Sequence, residues 1–328
     1  MRVNTVPVRS YWGMSLALGM MLVSCGASEV REEQQPLCFL SRPEAEEGVQ
    51  RPVSAAEWTR AAVGQVAAGA VVTESCAREP IRWTLPSMCS ALLEPSGDAT
   101  GVPITDESTI VRRVGGDKTF VFVRTHRYAN GEVLGVLALV QNRSNGLAVR
   151  AIGTLRTREE RLRVKMNAAD NLLIAEGETC VDASNPATCK RAIRFLPIVD
   201  NHYRATGIDT EERSCIGPAF LEPSRNETVV MPNGWERRFS LAASYEEKDG
   251  GILIHEQVTV DDADPSNPEV PARRFRQVES DRFIRITDGR LVSDKVPLWD
   301  RTLEEYASTT VPVDGGVAAP RSSTRSPR

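Results

Sequence analysis

From Lys118 onward, apolar and polar residues alternate with a period of two. Leu162, Val164 and Met166 are interleaved with Arg161, Arg163 and Lys165, as in a strand with one buried face. Phe239, Leu241, Ala243 and Tyr245 alternate in the same way with Arg238, Ser240, Ala242 and Ser244. Ile252, Ile254, Val258 and Val260 share a third such face, which Glu256 interrupts. Residues 132–140 are almost wholly apolar, the pattern of a central strand covered on both sides.

Turn signals separate these runs. Asn130-Gly131, Asn145-Gly146, Asp249-Gly250 and Asp288-Gly289 each stand beside an alternating segment and supply the positive φ that two-residue hairpins need. Consecutive hairpins give an antiparallel β-meander. The fold class expected is therefore mainly β: a half-barrel, a sandwich or an irregular propeller, with one short N-terminal helix. No motif repeats at the spacing of propeller blades. The helix is expected over residues 54–70, where Ser54 can cap, Glu57 occupies the capping-box position, and Trp58, Ala62 and Val66 recur every fourth residue. A second short helix is expected over residues 301–306.

The first residues follow another pattern. Arg2 and Arg9 precede an apolar run over residues 14–23, and Leu22-Val23-Ser24-Cys25 closes it. A positive start, a short apolar stretch and small residues at the cut define an export signal. The apolar stretch over residues 11–23 is well short of the ~20 residues that a membrane span needs. With cysteine directly after the cut, the segment resembles a bacterial lipoprotein signal. That resemblance implies that Cys25 becomes the first residue of the mature chain and is acylated, palmitate included, which anchors the protein to a membrane. Gly26, rather than Asp, follows the cysteine. By resemblance to lipoprotein sorting, this implies an outer-membrane location, facing the periplasm or the cell surface. The expected organisation is a signal peptide (1–24), a lipidated cysteine and flexible tether (25–37), a disulfide-bonded β-rich domain (38–310) and a disordered Pro/Gly/Ser/Arg-rich tail (311–328).

Seven cysteines are present; setting Cys25 aside leaves an even set, as suits an oxidising compartment. Cys180 and Cys189 bracket a turn-rich octapeptide, and Cys76 and Cys89 bracket a segment holding Pro80 and Pro86. The expected pairs are Cys180–Cys189 and Cys76–Cys89, with Cys38–Cys215 following by elimination.

Charge narrows the partners. The chain carries a formal net charge of −4, and its first 24 residues hold two arginines and no acid, so the mature part carries −6. That sign disfavours nucleic acid. The sequence holds no G-x-S-x-G, phosphate loop or dinucleotide fingerprint, and no cofactor is expected. Three histidines, His126, His202 and His255, are the general-base candidates. The densest oxygen cluster runs from Asp261 to Glu269 and includes Asp261, Asp262 and Asp264. It is the candidate for calcium, which takes several converging oxygens, and for a binding loop between strands.

The function expected is a membrane-anchored envelope lipoprotein that is non-catalytic, an interaction or assembly component. Its partners would be the membrane, through the N-terminal lipid, and another envelope protein or polysaccharide. Two alternatives stand beside it. One is a β-cup that carries a lipid or another amphiphile, and the other is a hydrolase of envelope glycan or peptide with dispersed carboxylates.

Overall fold

The structure is a computed structural model and describes residues 35–42, 51–67, 69–81, 99–180, 184–204 and 207–307. All belong to one compact unit, Gln35–Arg328. Its first strands are β1 (Cys38–Ser41), β2 (Thr100–Gly101), β3 (Thr109–Gly115), β4 (Lys118–Arg127), β5 (Val133–Arg143) and β6 (Gly146–Thr157). There follow β7 (Arg163–Met166), β8 (Leu172–Cys180), β9 (Cys189–Val199), β10 (His202–Tyr203), β11 (Gly207–Asp209), β12 (Cys215–Pro218) and β13 (Phe220–Leu221). The last are β14 (Ser224–Val230), β15 (Glu236–Lys248), β16 (Gly251–Ala263), β17 (Arg273–Thr287) and β18 (Arg290–Ser293). The described residues also hold two α-helices, α1 (Ala55–Val63) and α2 (Leu298–Tyr306), and three single-turn 3₁₀ helices, Asp106–Ser108, Glu159–Arg161 and Pro186–Thr188.

The strands form two sheets. The first runs β2-β4-β5-β6-β10-β9-β8-β7, with β3 beside β4, β1 beside β6 and β13 beside β9, and it curls as a half-barrel. The second runs β12-β11-β18-β17-β16-β15-β14. Pairing is antiparallel apart from the short β10–β6 and β11–β18 contacts, which are parallel.

Four apolar clusters explain the sequence pattern. One face of β4–β6, with Val121, Val136 and Val149, packs under Trp58, Ala61 and Ala62 of α1. The opposite face, with Phe120, Leu137 and Leu155, meets Leu173 and Leu196 of β8 and β9. β5 is therefore buried on both sides, as its unbroken apolar run requires. The other face of β8 and β9, through Ile174 and Phe195, covers Ile252, Ile254 and Ile284 of the second sheet. Farther along that same face, Phe239, Val258 and Val260 are covered instead by Leu298 and Trp299 of α2.

Local chemistry sets the element ends. Glu57 accepts the Ser54 N–H at 2.8 Å while Ser54 Oγ accepts the Glu57 N–H at 3.3 Å, a complete capping box. Gly64, at φ 78°, then ends α1, well before residue 70, because its left-handed backbone turns the chain out of the helix. The second helix begins at Leu298 rather than 301. Among the four turn dipeptides, Asp288-Gly289 has both residues at positive φ, 51° and 71°, between the paired Thr287 and Arg290, as a type I′ hairpin demands. Gly146 instead already pairs with Arg143, so the turn there is Ser144-Asn145. Pairing to the first sheet starts at Leu37, whose N–H reaches Val149 O at 2.9 Å.

Two disulfides are described. Cys180–Cys189 joins the last residue pair of β8 and β9, as expected. Cys38 bonds Cys76, not Cys215, and Cys76 therefore does not bond Cys89. The reason is packing: α1 folds back on the sheet, and Cys76 N–H reaches Ala62 O at 2.9 Å, which carries Cys76 over β1. Cys215 is also disulfide-bonded. Cys25, Cys89, the signal segment, residues 26–34 of the tether and the tail over 311–328 lie outside the described residues.

Candidate functional site

Glu256 explains its own intrusion into an apolar face. It stands on β16 where the cover provided by β8 and β9 ends and that of α2 begins. It is buried, and both oxygens are used: Oε1 accepts from Arg282 Nη2 at 3.1 Å and Oε2 from the Leu298 N–H at 3.0 Å. Arg282, on neighbouring β17, is likewise a buried charged residue, between Ser280 and Ile284 on its strand face.

A cleft of about 370 Å³ opens at this seam. Leu241, Glu256 and Arg282 form its floor; Ile208, Ile216, Phe220 and Leu221 supply apolar walls; Arg225, Pro297, Trp299 and Asp300 stand at the α2 side. The Arg225 guanidinium lies 4.9 Å from the Trp299 ring centre, within cation–π range. Burial pushes the Asp300 carboxyl up from its ordinary value, with Arg225 and Arg282 opposing and Glu256 adding to the shift.

Two of the lining residues carry fully buried donors without acceptors. Arg282 is 4% exposed and Trp299 3%. Arg282 Nε and Nη1 and Trp299 Nε1 have no hydrogen-bond partner among the described residues. Buried polar groups are nearly always satisfied, so such orphans call for a cause. Arg124 Nε, Arg158 Nε and Tyr203 Oη are likewise buried without a hydrogen-bond partner among the described residues, whereas the buried Glu132 carboxylate is fully engaged. Glu132 takes Arg156 Nε at 3.0 Å, Asn130 Nδ2 at 2.9 Å and the Cys180 N–H at 3.0 Å, a cluster that ties the first hairpin to the Cys180 strand.

Other hollows lack this combination. On the outer face of the second sheet, Ser244, His255 and Asp281 are abreast on three adjacent strands, with His255 Nδ1 2.7 Å from Asp281 Oδ1. The row resembles a hydrolytic triad in residue type alone. It lies on an open sheet whose backbone N–H groups are taken by the antiparallel ladder, so no donors converge on an oxyanion there. The hollow of about 340 Å³ between the 167–171 turn and Lys248–Gly251 is lined by Asn171, Glu247 and Asp249 together with Ala168, Ala169 and Ile286.

The residues singled out in the sequence disperse. Asp261 and Asp262 are not in a loop but on β16, adjacent and thus on opposite faces. Asp261 pairs outward with Arg274 at 2.6 Å, Asp262 pairs inward with Arg237 at 2.7 and 2.9 Å, and Asp264 holds the Ser266 N–H and hydroxyl. The three carboxylates do not converge, so the calcium expectation is corrected; among the described residues no cluster of three His, Cys, Asp or Glu has metal-binding geometry. His202 bridges Glu79 at 2.7 Å and Asp200 O at 2.6 Å, linking the segment after α1 to β10. Burial lowers the pKa of His126, whose Nδ1 is 2.9 Å from Thr125 Oγ1. None of the three histidines lines the cleft. Arg282 and Trp299 were not legible as site residues, although one signal pointed there: Glu256 interrupts the apolar positions Ile252, Ile254, Val258 and Val260.

No helix among the described residues is long and apolar enough to cross a membrane. Comparisons with protein-family models, with curated proteins and with solved structures find no match to this chain.

Proposed function

We propose that this chain is a lipid-anchored protein of the bacterial envelope that binds a ligand or partner rather than catalysing a reaction. The location rests on the Leu22-Val23-Ser24-Cys25 box at the end of its apolar run, and disulfide bonding suits an exported protein. The binding role is carried by one observation: a cleft with apolar walls built around the buried pair of Glu256 and Arg282, with Arg225 and Asp300 on the same lining. Such a mix of apolar lining and a few placed polar groups is what small-molecule sites share. One carboxylate of the cleft, Glu256, is already committed to Arg282 and to the start of α2, which takes it out of acid–base work; Asp300, pushed up by burial, lines the same cleft.

The lipid on Cys25 would hold this domain at the outer membrane, with an envelope protein or polysaccharide as further partner. A second reading, carriage of an amphiphile, is favoured by the apolar walls of the same cleft. Cys25→Ser tests the anchor: the variant should leave the membrane fraction and lose incorporation of labelled palmitate. A variant that stays fully membrane-bound overturns the assignment. Turnover of envelope glycan or peptide by the purified protein overturns the non-catalytic role.

A further inference from the structure

We propose that β14 is a pairing edge through which two copies of this chain join antiparallel, about a two-fold axis at Asn226.

The phase of the ladder shows what β14 offers. Ala243 N–H donates to Pro223 O at 2.8 Å and Met231 N–H to Trp235 O at 2.7 Å, one at each end of the β14–β15 pairing. Bonded and non-bonded positions alternate in an antiparallel pair. The odd-numbered residues from Pro223 to Met231 therefore turn their backbone groups toward β15. Ser224, Asn226, Thr228 and Val230 turn theirs the other way, and all four are exposed. β14 ends its sheet, so these N–H and C=O groups face outward along an open edge.

Other sheet ends among the described residues are blunted. β7 has four residues and carries Arg163 and Lys165, β3 is bulged between Arg113 and Gly115, and β12 is short, with a register shift in its pairing to β11. Shortness, cations and bulges are the devices that keep edges from pairing. β14 has seven residues in unbroken register with β15 and holds no Pro or Lys.

Charge chooses the occupant and the register. Arg225 and Glu227 are opposite in sign and stand two apart on one face of β14; their contact within one copy is long, 3.5 Å, and exposed. A second β14 laid antiparallel about Asn226 sets each Arg225 opposite its partner's Glu227, at non-bonded positions where side chains are closest. Ser224 then meets the partner's Thr228, a pair that can hydrogen-bond, and the two Asn226 meet on the axis. Moving the axis one residue either way sets two Arg225 or two Glu227 face to face, which repels. Such a contact is isologous and closes as a dimer. Its axis is perpendicular to the sheet, so the clefts beside α2 in both copies open on the same side.

Sedimentation velocity of the full chain carrying Cys25→Ser should show a monomer–dimer equilibrium. Asn226→Pro deletes an N–H on the open edge and spares the β14–β15 ladder, so it should leave a monomer with the parent's melting temperature. Arg225→Glu and Glu227→Arg should each weaken self-association roughly tenfold or more. Mixed together they should form a dimer, because both opposed pairs regain opposite signs. In the lipidated chain, Asn226→Cys should link two copies by a disulfide, since bonded positions stand about 5.5 Å apart, and Thr228→Cys should not. A chain that is monomeric throughout, with Asn226→Cys unlinked, overturns the proposal and leaves the edge to a strand of another protein. A dimer that survives Asn226→Pro joins elsewhere and overturns it too. Should Asn226→Pro not fold, the charge variants decide: single variants that dimerise as well as the parent, or linkage through Thr228→Cys, overturn the pairing about Asn226.

Discussion

The Glu256 carboxylate accepts the Leu298 N–H at 3.0 Å and so caps a helix that begins 42 residues farther along the chain. The residue before that helix, Pro297, makes no side-chain cap of its own. At the other end of α2, Arg237 Nη1 donates to Tyr306 O at 2.9 Å. An acid at the N-terminus and a cation at the C-terminus both complement the helix dipole. Each belongs to a buried ion pair, Glu256 with Arg282 and Arg237 with Asp262. Two pairs on the inner face of the second sheet thus clamp α2 in place, and α2 in turn forms one side of the cleft.

Glu256→Ala should therefore destabilise the protein strongly. It removes the cap of α2 and leaves Arg282 buried without its partner, a loss of about 3–5 kcal/mol. Glu256→Gln retains an acceptor and the shape, and should cost clearly less. Urea unfolding of the two variants measures this. Equal and small losses would show that α2 is held by its apolar contacts alone.

Asp262 and Asp261 should behave as opposites although they are neighbours. Asp262→Ala strips the partner from Arg237, which is fully buried, and should cost about 3–5 kcal/mol. Asp261→Ala removes an exposed pair with Arg274 and should change stability by no more than about 1 kcal/mol. Addition of calcium or of a chelator should leave the melting temperature unchanged. A calcium-dependent rise in melting temperature that Asp261→Ala abolishes would restore the metal site.

How much of this was legible depends on the range of the interactions. The alternation of Phe239–Leu241–Ala243 and the apolar run of β5 fixed strand and burial because side-chain period is a local property. The capping box of Ser54 and Glu57 is equally local. What covers a strand face is not: nothing near Ile254 or Val258 in the chain shows that the first meets β8 and β9 and the second meets α2. For that reason Glu256 read as an interruption, and its role became plain only beside Leu298 and Arg282. The acidic run at Asp261 misled because a strand sends successive carboxylates to opposite faces, where arginines from two other strands meet them. Loop length misled with Cys76, which the folding back of α1 carries to Cys38.

The Cys38–Cys76 link closes a longer loop than Cys180–Cys189, with sequence separations of 38 and 9. Chain-entropy arguments give about 4 kcal/mol for the first and about 3 kcal/mol for the second. Replacing Cys38 and Cys76 together by Ala should lower stability by the larger amount and expose Trp58, which lies under that staple. Peptide mapping without reductant decides the pairing directly. Recovery of Cys38 linked to Cys215, or of Cys76 linked to Cys89, would contradict the structure.

Glu57 should make α1 sensitive to acid. Burial works to raise its pKa, but the Ser54 N–H and hydroxyl and the Arg42 guanidinium outweigh burial and bring it from 4.5 down to about 2. A carboxyl with a lowered pKa in the folded state contributes stability that is fully present above the unfolded value and lost as pH falls through the folded one. The window here is therefore pH 4.5 down to about 2. Glu57→Gln should be less stable than the parent by about 1 kcal/mol near neutral pH, the usual scale of a cap. The gap should hold down to about pH 5 and narrow below 4.5, because the parent carboxyl gradually becomes as neutral as the amide. Urea unfolding at stepped pH, followed by the fluorescence of Trp58 beside the cap, reads both curves. A gap that stays constant to pH 2.5 would mean that Glu57 supports α1 by shape and packing, with its charge contributing nothing.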